Sequence, residues 1–226
     1  HKEYRRQRQM CIRDSSVDDA ALVHGVLAGR VLHVEPGLPD GCSVAVDEAV
    51  LERADPVVAD AVRRAVALLA DRGAEVRTAP MPGLPARLGP VYAADLAAAW
   101  GDAVAADPAP FGDDVRAGVE AGREVTAVDY IRCLADREAE RRRPWRAATV
   151  AVGPTCPVPP PLLAEPDDVR RVGGLTRPYN LLDWPAISVP APGAPGVGIQ
   201  IAAPRSRAAD VLRVARVLET TMEAAA

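Results

Sequence analysis

Apolar and polar positions alternate in blocks that change period along the chain. In "SVDDAALVHGVLAG", residues 16–29, apolar Val17, Ala20, Ala21, Val23, Val26 and Leu27 recur at helical spacing. Ser16 is placed to cap this helix, with Asp19 in its first turn and Gly29 as its stop. Residues 42–79 read as a strand–helix–strand unit. "CSVAVD" is a short buried strand and "AEVRTA" is the next one. The helix between them, "DPVVADAVRRAVALLADRG", starts at Asp55 and Pro56, ends at Gly73, and carries a stripe of Val58, Val62, Ala65, Val66 and Leu69. Such a crossover predicts parallel pairing with a right-handed connection.

Residues 90–147 keep the helical period throughout. "VYAADLAAAWGDAVAA" is rich in alanine, the best helix former. "GDDVRAGVEAG" is shorter, and "TAVDYIRCLADREAERRRPW" starts at Thr126 with Asp129 in the capping-partner position. The pattern then returns to strands. "TVAVG" (149–153) is β-branched, and "PTCPVPPP" is held extended by its prolines. "AISVP" and "VGIQIAA" form two strands joined by a Pro/Gly turn. A last helix, "SRAADVLRVARVLETTME", is expected to use Ser206 as its cap and to bury Val211, Leu212, Ala215 and Leu218. The fold class is α/β.

Composition narrows the function classes. The 226 residues suffice for one large domain or two small ones. A net charge of -4 gives no electrostatic reason to expect nucleic acid. No apolar run is long enough to span a bilayer, and the charged N-terminus does not read as a secretory signal, so neither membrane nor export is expected. A cytoplasmic location with reduced thiols is expected for Cys11, Cys42, Cys133 and Cys156. No C-x-x-C pair occurs and the chain has 3 His, so the usual zinc spacings are excluded and neither metal nor cofactor is expected. The first fifteen residues, "HKEYRRQRQMCIRDS", contain no Ala and hold the single Lys, Lys2. They read as a non-native or disordered tail and are set aside from the fold.

Residue types alone offer little chemistry. Ser188 lies in a strand with no His near it in sequence. "GAPGVG" (193–198) reads as a turn, because Ile199, Gln200 and Ile201 continue as a strand where a phosphate-binding loop needs a helix. Asp95, Asp102, Asp113, Asp114 and Glu120 are not distinguished from surface acids. Asp136, Glu138, Glu140 and the neighbouring arginines read as a solvated helix face with ion pairs one turn apart. With Lys2 in the tail, no lysine-dependent mechanism is available to residues 16–226 alone.

Four ordered segments carry a resemblance. "RPYNLLDWPAISVPAPGAPGVGIQIAAP" resembles the late part of amidase-signature hydrolases, through Asn180, Pro185 to Pro190, Gly193, Gly196, Gly198 and Gln200. "SSVDDAALVHGVLAG" and "DPVVADAVRRAVALLADRGAEV" are similar to two helices of that family. "TVAVGPTCPVPPP" looks like its Thr-Pro-Thr-x-Pro-x-x-Pro loop, with Cys156 as a departure. The resemblance covers about residues 16 to 221. It implies a partial amidase-signature fold, a mixed β-sheet covered by α-helices. It also implies amide hydrolysis by a Ser–cis-Ser–Lys triad with a backbone oxyanion hole. In the family that triad lies N-terminal to the first match. Residues 16–226 are therefore expected to be the C-terminal portion of a single domain, without catalytic residues and inactive alone.

For the pocket, the resemblance nominates Tyr92, Cys156, Tyr179, Asn180 and Asp183. The partner it implies is a small-molecule amide substrate of the full-length protein, and a homodimer is left open. Two alternatives stand beside this reading. One is a protein like the glutamine-using subunit of glutamyl-tRNA(Gln) amidotransferase. The Arg and Asp that hold glutamine there would fall at Ala117 or Gly118 and at Gly173, where both charges are missing. The other is a degenerate, non-catalytic binding module. The Ala- and Arg-rich composition fits a bacterial origin.

Overall fold

The computed structural model describes residues 16–29, 31, 33–82, 89–160, 173–191 and 193–223. The expected tail, residues 1–15, lies outside these. The described residues fall into two compact units. One joins the residues up to 82 with those from 145 onward, and the other holds those between 83 and 144.

The first unit is built on a five-stranded mixed sheet with the order β2-β1-β3-β5-β4. Its strands are β1 (Ser43–Val46), β2 (Glu75–Thr78), β3 (Val150–Pro154), β4 (Ala186–Ala191) and β5 (Ala194–Ala202). As the crossover predicts, β1 pairs parallel with β2, Ser43 opposite Glu75. It also pairs parallel with β3, while β5 runs antiparallel to both β3 and β4. At the start of β1 and β3 the side chains stitch the strands. Ser43 N–H donates to Thr149 Oγ1 and Thr149 N–H donates to Ser43 Oγ, both at 3.0 Å in buried surroundings.

Helix α1 (Val17–Ala28) starts on Ser16, whose hydroxyl accepts from Asp19 N–H, and stops on Gly29 at φ 68. Its buried residues are Val17, Ala21 and Gly25, one turn apart. Here the sequence expectation needs correction, since Val26 is 74% exposed and Leu27 38%. The helix buries a narrow stripe of small residues, and the wider apolar pattern overstates its buried face.

Helix α2 (Glu48–Leu51) is a single turn capped by Asp47. Helix α3 (Pro56–Asp71) begins on Asp55, which accepts from Val57 N–H, and buries all five residues of its expected stripe. It packs on β3 and β5, where Val44, Val150, Val152, Ile199 and Ile201 complete the core. The edge strand β2 is exposed along its length and carries the Glu75–Arg77 ion pair at 2.7 Å. Charge on an edge discourages further strand pairing.

The β4–β5 hairpin forms as expected, but its turn is tighter than the Pro/Gly content implies. Gly193 turns at φ 64 and β5 begins at Ala194, so Gly196 and Gly198 are already strand residues. Pro190 is tolerated because β4 is the outer strand of the sheet.

In the second unit, α4 (Gly89–Ala106) packs closely on α5 (Asp113–Arg123). A Cβ on Gly118 would lie 2.6 Å from Leu96 Cδ2, and one on Gly122 would collide with the Ala93 carbonyl. Those two glycines, one turn apart, set the approach. Helix α6 (Ala127–Arg142) is capped by Thr126 as expected. It holds to α4 through Tyr130, whose hydroxyl donates to Asp95 Oδ1 at 2.9 Å. Its acidic and basic residues pair as read, with Glu138 bridging Arg141 and Arg142 at 2.9 and 2.8 Å.

Returning to the first unit, α7 (Arg177–Leu182) precedes β4, and α8 (Ala208–Glu223) packs on α1, α3 and β4. Ser206 is not its cap. It lies inside a 3-10 turn, Arg205–Arg207, in which Arg207 N–H donates to the Pro204 carbonyl at 2.8 Å. That turn delays the α-helix to Ala208. The predicted stripe of Val211, Leu212, Ala215 and Leu218 is buried. Among the described residues no helix is long and apolar enough to cross a membrane.

Candidate functional site

In open sheets with parallel strands, ligands gather beyond the carboxyl ends of the strands. Here that edge carries a set of polar side chains. Asp47 follows β1 directly. Its Oδ1 accepts from Val50 N–H at 3.3 Å, which caps α2, and its Oδ2 accepts from Met81 N–H at 2.8 Å. Both carboxylate oxygens are thereby used to tie the end of β1 to the segment after β2.

Thr155 follows β3 in the same way. Its N–H donates to the Gly198 carbonyl at 2.9 Å, and its hydroxyl lies 2.6 Å from that of Ser188 in β4. Two residues on, the Pro157 carbonyl accepts from Asp55 N–H at 2.8 Å, which anchors the loop to the head of α3.

Helix α7 is fastened over this edge from two sides. The Tyr179 hydroxyl donates to Met81 Sδ at 3.5 Å, and Gln200 Nε2 in β5 donates to the Leu175 carbonyl at 3.3 Å. Tyr179 is 6% exposed. Burial pushes its phenol ionisation well up, the Asp47 carboxylate adds to the rise, and a hydrogen bond from Gln200 partly offsets it. The helix ends on Asp183 in the left-handed conformation, φ 55, which Asp tolerates better than most residues. Trp184 N–H then donates to the Tyr179 carbonyl at 3.0 Å. The Trp184 ring lies 6.0 Å from that of Tyr179 and 5.2 Å from that of Trp145.

The nominated pocket residues are therefore placed as follows. Tyr179 is buried, its hydroxyl directed inward toward Met81 and Gln200. Asn180 is exposed on α7, and Asp183 is a half-buried helix terminus. Cys156 is half-buried beside Thr155, and burial raises its thiol ionisation, which keeps it a neutral, weakly nucleophilic S–H at neutral pH. Tyr92 belongs to α4 in the helical unit and is 36% exposed. Among the described residues no His, Cys, Asp or Glu side chains group as a metal site.

Sequence reasoning missed Asp47 and Met81, met Thr155 only as part of a proline-rich loop motif, and weighed Ser188 only as an isolated nucleophile. Gln200 was legible as a polar residue between Ile199 and Ile201 in an otherwise apolar strand, but its bond to residue 175 was not. At the positions where a glutamine-using enzyme of this kind would hold its substrate, Gly118 is packed against Leu96. A Cβ on Gly173 would lie 3.7 Å from Arg177 Nε. An acid at 173 would thus meet a guanidinium.

Residues 34–212 match the Amidase family. No curated protein matches the chain significantly. Among solved structures, an amidase is similar over 91% of this chain and 51% of its own, at 27% identity and TM-score 0.74. A 6-aminohexanoate cyclic dimer hydrolase aligns with 92% of this chain and 53% of its own, at 21% identity and TM-score 0.64. A glutamyl-tRNA(Gln) amidotransferase subunit from Thermotoga maritima matches 91% of this chain and 51% of its own, at 24% identity and TM-score 0.60. The chain spans about half the length of these structures. With a family match over residues 34–212, the chain belongs to the amidase family.

Proposed function

We propose that this chain is the C-terminal part of a cytoplasmic amidase that hydrolyses a carbon–nitrogen bond in a small amide, ureido or carbamoyl compound. In that reaction water replaces nitrogen on the carbonyl carbon, and ammonia or an amine leaves. The family match over residues 34–212 carries the reading. The polar edge formed by Thr155, Ser188 and the α7 segment supports it, because it would line one side of a substrate pocket. Residues 16–226 contribute binding and shape rather than the reacting groups. Their lack of lysine leaves the family's lysine base without a counterpart among them. Cys156, Asn180 and Asp183 are the residues proposed for the site in the sheet unit, with Tyr179 holding α7 in place, and Tyr92 is the residue proposed in the helical unit.

Two measurements test this. The purified 226-residue chain, assayed for ammonia release from a panel of small amides and ureas, is expected to show no turnover. Turnover free of host enzyme would overturn the assignment of its role. Long-read sequencing of the coding DNA upstream of Ser16 is expected to reveal an in-frame lysine-bearing helix and a Gly/Ser-rich segment. Expressed with them, the protein is expected to release ammonia. A stop codon or an unrelated domain there would refute the amidase reading and favour a non-catalytic module.

A further inference from the structure

The buried phenol of Tyr179 gives its proton to a sulfur atom, Met81 Sδ at 3.5 Å. A buried hydroxyl needs a partner, and a thioether is a weak acceptor where a carbonyl or carboxylate would ordinarily stand. Burial and the Asp47 carboxylate raise the phenol's pKa, so at neutral pH it remains the donor. Met81 is held on its other sides as well. Its N–H donates to Asp47 Oδ2 at 2.8 Å, and its Cε lies 3.5 Å from the place a Cβ would take on Gly153 of β3. The thioether is thus wedged between β3 and α7. Met81 is half-buried and Tyr179 is buried, so the solvent side of this contact belongs to the methionine.

A thioether is open to chemistry that a hydrocarbon side chain is not. Its sulfur gives a lone pair to the terminal oxygen of a hydroperoxide. An S–O bond forms and the O–O bond breaks. The proton on the transferred oxygen passes to the leaving oxygen, which departs as water or an alcohol. Sulfur is oxidised and the peroxide is reduced. The product carries a polar oxygen on the atom that accepted the phenol proton. In a contact closed between Gly153 and Tyr179, that oxygen needs room and its own hydrogen-bond donors, so the phenol is displaced. The second fastening, Gln200 Nε2 to the Leu175 carbonyl at 3.3 Å, precedes the helix and is untouched. The helix is then free at Tyr179 and held at its root.

We infer that Met81 is an oxidation site whose conversion to the sulfoxide by a hydroperoxide releases α7 from the carboxyl edge of the sheet. Enzymatic reduction of the sulfoxide restores the contact. The switch is a property of this chain and stands apart from hydrolysis. Only its consequence, that release withdraws Asn180 and Asp183 from a substrate, rests on the amidase reading.

The test is hydrogen exchange on the 226-residue chain before and after limited treatment with hydrogen peroxide, with peptide mass spectrometry to score the sulfoxide at Met81. The Asp183 and Trp184 amides, both bonded to the Tyr179 carbonyl, report on α7. Their exchange is expected to quicken about five-fold, the effect of one lost hydrogen bond, while α3 amides keep their protection. Methionine sulfoxide reductase should reverse the change. Met81→Leu keeps the apolar contact without the acceptor, so its α7 amides should exchange fast from the outset and ignore peroxide. The oxidation and reduction cycle on the wild-type chain needs no variant to fold. A Met81 that stays unoxidised under peroxide that converts free methionine would overturn the inference. So would a Met81 sulfoxide with α7 exchange unchanged, or a peroxide response that persists in Met81→Leu and thereby belongs to another residue.

Discussion

Tyr179 shows how one side chain couples packing to ionisation. Its ring is buried, its hydroxyl reaches Met81 and Gln200, and the Asp47 carboxylate lies close enough to oppose a phenolate. Its pKa is therefore raised above the ordinary value of 10.0. The unfolded chain releases this proton first as the pH passes about 10. The stabilisation from the neutral buried phenol is complete below that pH and is lost as the pH climbs toward the higher folded-state value. Tyr179→Phe should lower stability by about 1 kcal/mol at neutral pH. Above pH ~10 its unfolding free energy should fall less steeply than that of the wild type. Urea melts at pH 7 and across pH 9.5–11.5 check both, and parallel slopes would refute the linkage. A second residue-scale case is Thr149, whose hydroxyl is the acceptor for the buried Ser43 N–H. Thr149→Val keeps the shape and removes the acceptor, so a loss of about 1–3 kcal/mol is expected in the same melts.

Among the elements, α3 was the most legible in the sequence. Asp55, Pro56 and Gly73 mark its ends and its buried stripe follows one period, so local chemistry and tertiary burial agree. Its cap is also a tertiary link, since Asp55 N–H donates to Pro157 in the loop after β3. Asp55→Ala should cost about 0.5–2 kcal/mol by freeing Val57 N–H. Leu69→Ala, at a fully buried position, should cost about 2–5 kcal/mol. Thermal melts of both variants would rank them, and a reversed order would refute these assignments of the cap and core contributions. Where the reading failed, the determinant was not local. Ser206 has the chemistry of a cap, but Pro204 accepts a turn bond from Arg207 and shifts the helix start. Val26 and Leu27 follow the apolar period of α1, yet the stripe that meets α8 is made of Val17, Ala21 and Gly25. The site was legible only as motif fragments, Thr155 in one and Ser188 with Gly198 in another. The register that joins them is set by β5 pairing with both β3 and β4.

At the scale of the molecule, the core of the sheet unit is complete on the side covered by α3 and α8, whereas α1 presents apolar surface to solvent. Leu22 and Val26, one turn apart on that helix, are 67% and 74% exposed. Single exposed apolar residues are ordinary, but adjacent ones on a helix face are a seat for association. The chain is expected to self-associate as its concentration rises, which is one route to the homodimer left open for the whole protein. Leu22→Glu with Val26→Lys replaces this face by an oppositely charged pair at i,i+4, an arrangement that supports the helix. Helix content and melting cooperativity should then be retained while association is lost. Size-exclusion chromatography with light scattering over a hundred-fold concentration range checks this. A mass that doubles and then saturates would indicate a defined dimer through α1, whereas continued growth would indicate open-ended aggregation. A wild-type chain that stays monomeric throughout, or a variant that associates as before, would show that α1 is not the surface responsible.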